Sequence, residues 1–197
     1  MQKQALFESK DCLLICIDIQ EKLLPVMYNK EIILKNANIL LEAARLFRLK
    51  ALVSEQYPKG LGNTHSSIEF KTISKFEDFD EQDTHLQCLC LEKISFSIFN
   101  DEKIVKVIKE SGCKKLIVFG IESHVCVLQS LIHALERGYE LYAIEDAMGS
   151  RSKENHDNAL SFLRQKGVNI INTESFLFGL MIDAKEANFK SISALIK

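Results

Sequence analysis

Short apolar runs alternate with amphipathic stretches along the chain, and this alternation limits the possible folds more than any other sequence feature. The stretches have apolar residues at helical spacing. Strands separated by helices form parallel βαβ units, and right-handed crossovers then build a doubly wound sheet. The pattern therefore predicts an α/β fold. The predicted strands are Leu13–Ile19, Ala51–Ser54, Leu86–Ile94, Lys115–Ile121, Glu140–Ala147 and Val168–Asn172, and the predicted helices are Lys30–Leu49, Glu102–Ser111, His124–Arg137 and Lys153–Lys166, with further helical segments at the end.

The connections are less regular. Gln56–Thr64 contains Pro58, Gly60 and Gly62, so we expect a loop there. Asn100 is expected to cap the helix that begins at Glu102. Residues 65–86 mix charged and apolar side chains without a clear period, and they predict no particular element.

Length and composition indicate one globular domain over residues 1–197. Hydrophobic residues make up 47% of the chain and charged residues 26%, and 25 basic against 27 acidic residues leave a net charge of −2. This balance gives no electrostatic reason to expect nucleic acid or an anionic membrane as partner. The longest apolar runs are too short to span a bilayer, and no signal-peptide pattern is present. We therefore expect a cytoplasmic protein whose six cysteines are unpaired.

Three chemically capable side chains stand at strand ends. Asp18 ends the first predicted strand, Lys93 closes the third, and Cys126 follows the fourth in what we expect to be the first turn of a helix. Taken singly, they are equally compatible with a capping Asp, a solvated Lys and a buried structural Cys. Ligands bind at the carboxyl ends of the strands in a doubly wound sheet, so their shared edge predicts an active site.

The three residue types together suit nucleophilic catalysis. A helix N-terminus and a nearby ammonium group both lower the pKa of a thiol, and a nearby carboxylate can accept its proton. We therefore expect Cys126 to be an activated nucleophile, more reactive than Cys113, which we expect in an exposed loop.

Several segments resemble the isochorismatase-like cysteine hydrolases, and in particular the isochorismatase domain-containing branch. The matching segments are DIQEKLLP (Asp18–Pro25), SEQYPKGLG (Ser54–Gly62), KISFS (Lys93–Ser97), GIESHVCV (Gly120–Val127) and EDAMGSRS (Glu145–Ser152). The resemblance implies a three-layer α/β/α fold with a six-stranded parallel sheet. It also implies that Asp18 is the base, Lys93 the charge partner and Cys126 the nucleophile.

The resemblance further implies a cis peptide bond between Ile121 and Glu122, with the backbone amides of Glu122 and Cys126 forming an oxyanion hole. A small-molecule substrate with an amide or carbamoyl C–N bond would be hydrolysed through an acyl group on Cys126. The expected substrate-binding residues are Gln20, Tyr57, Phe96 and Ile121, and the family implies a homo-oligomer.

One segment departs from the pattern of the metal-dependent nicotinamidases in this superfamily. Their loop after the second strand carries an Asp and histidines, whereas the loop here reads EQYPKG, with His65 as the nearest histidine. We therefore expect no metal and no cofactor. Three alternatives stay open: vinyl-ether hydrolysis of the isochorismatase type, a non-catalytic binding or scaffold protein, and a redox-sensing thiol.

Overall fold

A parallel β-sheet runs through the centre of the protein, with helices on both faces, in a computed structural model that describes residues 4–80 and 82–197. Residues 1–3 and 81 of the expected domain lie outside the described residues. The predicted three-layer, doubly wound α/β fold is confirmed. The strands are Cys12–Ile17 (β1), Lys50–Gln56 (β2), Lys71–Thr72 (β3), Gln87–Lys93 (β4), Lys115–Ile121 (β5), Glu140–Gly149 (β6) and Asn169–Ile171 (β7), in the order β3-β4-β2-β1-β5-β6-β7.

The predicted number of six strands was wrong, because the described residues form seven. The additional strand, β3, has two exposed residues at the edge of the sheet, where Lys71 and Thr72 pair with Gln87 and Cys88 of β4. So short an element has no apolar alternation of its own. Its conformation depends on the partner strand, which a local pattern does not reveal.

Helices connect the strands and mostly match the predicted positions. They are Lys30–Phe47 (α1), Pro58–Leu61 (α2), Glu102–Glu110 (α3), Leu128–Glu136 (α4), Lys153–Gln165 (α5), Thr173–Gly179 (α6) and Phe189–Leu195 (α7). Helix α3 is capped by Asp101, whose carboxylate accepts from the amides of Lys103 and Ile104, and not by the predicted Asn100, which ends a 3₁₀ turn. Helix α2 lies within the predicted loop.

Strand β1 forms the middle of the core. All six of its side chains are buried, as expected for a parallel strand that is covered on both faces. No helix within residues 4–80 and 82–197 is long and apolar enough to cross a membrane.

The order in which the strands are added to the sheet reverses between β1 and β5, and a doubly wound fold binds its ligands at this point. Gly120 brings the two strands together at that point. It has φ of +121°, and a Cβ atom there would lie 2.1 Å from the carbonyl oxygen of Ile17, so glycine is needed both for its conformation and for its size. The close approach places the residue after β1 beside the turn after β5.

Candidate active site

Asp18, Lys93 and Cys126 meet at the carboxyl edge of the sheet. Asp18 follows β1, Lys93 is the last residue of β4, and Cys126 lies in the turn after β5. The Lys93 Nζ atom is 2.6 Å from Asp18 Oδ2, and both side chains are completely buried. The charges of Asp18 and Lys93 both act on the Cys126 thiol, and only 6% of Cys126 is exposed. The three predicted residues therefore form one buried cluster.

Neighbouring polar groups hold the two charges of this cluster. The Ser54 hydroxyl donates to Asp18 Oδ1 at 2.7 Å, and the Asp18 amide donates to the Ser54 carbonyl at 3.0 Å. Lys93 Nζ donates to Gln56 Oε1 at 2.8 Å as well as to Asp18. Buried charges are tolerated where a countercharge and further hydrogen bonds replace water. Ser54 and Gln56, both in the SEQYPKGLG segment, were missed as site residues because Ser and Gln alone carry no charge signal.

Burial dominates the protonation states of this cluster. It raises the pKa of the Asp18 carboxyl, although the Lys93 charge and the hydrogen bonds from Lys93 and Ser54 oppose the shift. Burial, together with the negative charge of Asp18, raises the pKa of the Cys126 thiol to about 12, against the opposing effect of Lys93. At neutral pH the thiol is therefore protonated, and the predicted low pKa of Cys126 was wrong.

The backbone around Cys126 also differs from the prediction. Ser123–Val127, hereafter the Cys126 turn, is π-helical, and the regular helix α4 begins only at Leu128 rather than at the predicted His124. The amides of Val125 and Val127 both donate to the Glu122 carbonyl. Cys126 thus lies in the first turn of one continuous helical segment, as predicted, although this turn is π-helical and not α-helical.

The peptide bond between Ile121 and Glu122 is cis, in agreement with the prediction. On the other side of the turn, the Ser130 hydroxyl donates to the Cys126 carbonyl at 2.6 Å and accepts from the Ile98 amide at 3.1 Å. These bonds connect the Cys126 turn to the segment that follows Lys93.

The expected substrate-binding residues differ in exposure. Tyr57 and Phe96 follow β2 and β4 and are 51% and 54% exposed, and the neighbouring Ile94, which sequence reasoning missed, is more exposed still. The Tyr57 amide donates to the Lys93 carbonyl at 2.9 Å, which fixes its position beside the buried cluster. Ile121 is completely buried, so it can contribute only to the floor of a site.

The Gln20 side chain is bonded to the backbone near the end of β2. It is completely buried, and its amide donates to the carbonyls of Gln56 and Gly62 at 3.0 and 2.5 Å while its oxygen accepts from the Gln56 amide at 2.7 Å. These bonds occupy the side chain. Gln20, expected to bind substrate, thus serves in this structure as a brace between β2 and the following loop.

The described residues do not have the geometry of a metal site. Within the described residues, no group of three or more His, Cys, Asp or Glu side chains has an arrangement that could hold a metal ion. All six cysteines lie in that part of the chain and are free thiols. Cys113, expected in an exposed loop, is buried, and burial raises its pKa.

Comparisons with known proteins agree with this architecture. A family model described as "Isochorismatase domain" matches residues 12–175. Isochorismatase domain-containing protein 2 of Danio rerio is 34% identical over 95% of this chain and 88% of its own length. Isochorismatase domain-containing protein 1 of Salmo salar is 32% identical over 92% of this chain, which spans 59% of that relative. A solved structure titled MAR1 ribonuclease from Caenorhabditis elegans aligns with a TM-score of 0.82 at 29% identity, covering 96% of this chain and 91% of the other.

Proposed function

The chain belongs to the isochorismatase family, and from this membership and the buried cluster at its sheet edge we propose that it is a cysteine hydrolase of small amide or carbamoyl compounds. Cys126 is the nucleophile, Asp18 the general base and acid, and Lys93 the charge partner. The observation that carries this proposal is the buried ion pair of Asp18 and Lys93 at 2.6 Å, whose two charges both act on the Cys126 thiol.

The first chemical step forms the acyl group on the enzyme. Because the resting thiol is protonated, Asp18 takes its proton as Sγ attacks the carbonyl carbon, and negative charge moves to the carbonyl oxygen. The cluster has no net charge before this step, and with the oxyanion included it has none afterwards. Lys93 then faces the negative charge of the intermediate instead of that of Asp18.

The second step breaks the C–N bond. Asp18 returns its proton to the leaving nitrogen, and a thioester on Cys126 remains. Water then attacks the thioester while Asp18 accepts a proton from it, and collapse of this second intermediate releases the acid and restores the thiol. We propose that the backbone amides of Glu122 and Cys126 stabilise both oxyanions.

The side chains around the cluster suggest the shape of the substrate. Exposed Tyr57, Ile94 and Phe96 provide an apolar wall beside the buried polar groups. An acyl or carbamoyl compound with a small apolar or aromatic portion fits such a wall. The net charge of −2 gives no attraction for a polyanionic substrate, so we expect that the protein does not cleave RNA.

Intact-mass spectrometry tests the covalent intermediate. The protein is incubated with p-nitrophenyl acetate and with a panel of small amides and carbamoyl compounds, and the adduct is located by peptide mapping. We expect one acyl group on Cys126 and a burst of nitrophenol equal to the enzyme concentration. Cys126→Ser and Asp18→Asn should abolish the burst, whereas Cys113→Ser, the matched control on a buried thiol outside the cluster, should retain it.

Adding a vinyl ether and RNA as substrates, and Cys126→Ala as a further variant, separates the alternatives. Turnover that survives Cys126→Ala but not Asp18→Asn would indicate acid-catalysed vinyl-ether hydrolysis, which the raised pKa of the Asp18 carboxyl favours. Cleavage of RNA would indicate a nuclease. Absence of any adduct or turnover would leave a binding protein, and all of these outcomes contradict the proposal.

We further propose a homo-oligomer that acts in the cytoplasm. Exposed Val26 and Tyr28 are large apolar side chains that follow β1 at the edge of the sheet where the cluster lies, and they are separate from the wall formed by Tyr57, Ile94 and Phe96. Light scattering measures the molar mass in solution, and we expect a multiple of the mass of one chain.

The free cysteines support the proposed cytoplasmic location, because free thiols persist in a reducing compartment.

A further inference from the structure

A buried serine–histidine pair is attached to the Cys126 turn. Ser123, the first residue of that turn, lies with its Oγ atom 2.8 Å from Nδ1 of His156 in helix α5. Ser123 is completely buried, and His156 is 6% exposed. The mechanism proposed above does not use this pair. Ser123 lies three residues before Cys126, so a titratable group, His156, is bonded directly to the turn that carries the proposed nucleophile.

The Ser123–His156 bond depends on the protonation state of the imidazole. When His156 is neutral, the bond can form in either direction: the hydroxyl donates to a bare Nδ1, or an Nδ1–H donates to the hydroxyl oxygen. When His156 is protonated, only the second arrangement remains, and the hydroxyl proton of Ser123 needs another acceptor in a buried place. Protonation therefore changes the hydrogen bonding of the Cys126 turn at its first residue.

The surroundings of His156 favour the neutral ring. Burial lowers its pKa, and Lys153 and Arg164 of its own helix act in the same direction. Two carboxylates oppose the shift, Asp157 on the same helix and Glu145 on β6. From the loop after β1, the Tyr28 ring packs against the imidazole with 5.9 Å between centroids, and the Cys126 turn presents the Ser123 hydroxyl.

A neighbouring pair strengthens the attachment of the same turn. His124, the second residue of the Cys126 turn, lies with Nδ1 3.0 Å from the hydroxyl of Ser150, a buried residue just after β6. The first two residues of the turn are therefore held through serine–histidine bonds to β6 and α5, while Ser130 holds the Cys126 carbonyl from the other side.

We propose that His156 is a positioning residue that, in its neutral form, holds Ser123 and so sets the conformation of the Cys126 turn for attack. The inference rests on the proposed function of Cys126, but it concerns the orientation of the nucleophile and not its identity. Reactivity at Cys126 should fall as His156 becomes protonated, and independently of the protonation of Asp18.

The experiment measures the second-order rate at which p-nitrophenyl acetate acylates Cys126, by mass spectrometry, from about pH 8 down to about pH 5. His156→Leu removes the bond to Ser123, and Ser123→Ala removes the hydroxyl. His156→Asn keeps a polar group at the δ position that does not titrate. His133→Leu is the matched control, because His133 makes the same kind of bond, Nδ1 to Ser97 Oγ at 2.9 Å, outside the Cys126 turn.

At pH 8, His156→Leu and Ser123→Ala should each lower the rate by roughly 10- to 100-fold, the usual effect of a misplaced reacting group. The double variant should be no slower than either single variant, because both remove one bond. His156→Asn should stay within about threefold of the wild type at pH 8 and should exceed it at the acidic end, because it lacks the protonated state. Thermal melts of each variant identify losses that come from unfolding.

Equal losses in His133→Leu and His156→Leu would overturn the inference, since the effect would then be one of general stability. A wild-type pH profile in His156→Asn would overturn it as well. Failure of the proposed function gives a different result: turnover that continues in Cys126→Ala, whatever the acylation rates show.

Discussion

The ion pair between Lys93 and Asp18 offers the sharpest quantitative test of the site. Replacing Lys93 with Met keeps most of the side-chain volume and removes the ammonium group that lies 2.6 Å from the Asp18 carboxylate. Asp18 then keeps its hydrogen bond from Ser54 but loses its charge partner in a fully buried position. Removing one partner of a buried pair leaves a charge without compensation, and this costs more than the pair itself contributes.

The expected loss is roughly 3–5 kcal/mol in the free energy of unfolding. For a domain of this length, each kcal/mol lowers Tm by about 2–4 °C, so the melting temperature should fall by about 6–20 °C. The exposed pair of Lys153 and Asp157 provides the control. Lys153→Met breaks an ion pair of the same kind in water, and it should cost less than about 1 kcal/mol.

The loss should depend on pH in a defined direction. Asp18 already has a raised pKa in the folded protein, and without Lys93, which lowers it, the pKa rises further. A carboxyl group with a raised folded pKa is most favourable below its unfolded pKa, and it destabilises the fold as pH rises through the folded value. The destabilisation by Lys93→Met should therefore be small near pH 4 and largest at about pH 8.

A double variant completes the test. Asp18→Asn combined with Lys93→Met removes both charges, so it should be more stable than Lys93→Met alone at about pH 8, and it should lack the pH dependence that the Asp18 carboxyl causes. Thermal and urea denaturation of the wild type, Lys93→Met, Asp18→Asn and the double variant across the pH range measure the coupling. A Lys93→Met protein that is as stable as the wild type at pH 8, or a double variant that is no more stable than the single one, would refute the buried-pair reasoning.

Two further predictions concern the backbone and the metal. Gly120→Ala should destabilise the protein by roughly 2–5 kcal/mol in urea denaturation, because the new methyl group meets the Ile17 backbone. Gly112 has φ of +69° and nothing within 4 Å of the added methyl group, so Gly112→Ala should cost only about 1–2 kcal/mol. Equal losses in the two variants would contradict the steric explanation. Protein purified without added metal should contain no stoichiometric zinc or iron by elemental analysis, and it should keep its activity in the presence of chelator. Activity that chelator removes and metal restores would contradict this.

Much of the fold could be predicted from the sequence, and so could the clustering of Asp18, Lys93 and Cys126. Both follow from the alternation of strands and helices along the chain. Parallel strands end at the same edge of a sheet, so Asp18, Lys93 and Cys126 had to lie on one side once each was assigned to a strand end. Gln20 could not be placed in the same way. Its distance from Asp18 along the chain suggested the site, but its contacts with Gln56 and Gly62 come from a loop some forty residues away.

The protonation state of Cys126 was beyond sequence reasoning for a physical reason. The sequence identified the charges near the thiol, but the sign of a pKa shift depends on how completely water is removed. With Cys126 almost wholly buried, desolvation and the Asp18 carboxylate outweigh Lys93, and the pKa rises to about 12. The π-helical form of the Cys126 turn was equally invisible, since its apolar spacing also fits a regular helix.

In the mechanism proposed above, a nucleophile that rests as a neutral thiol makes proton transfer a part of the attack itself. Asp18 and Cys126 are both shifted upward, and burial is the largest cause in each case, so the same desolvation that suppresses the thiolate also strengthens the base that must take its proton. Moving that proton to Asp18 leaves the cluster and the bound substrate together without net charge, because the charge that leaves Asp18 appears on sulfur or on the substrate oxygen. The cluster therefore does not need a thiolate waiting in the free enzyme. It needs proton transfer to accompany formation of the S–C bond, which confines the reactive form of Cys126 to the moment when a carbonyl group is bound.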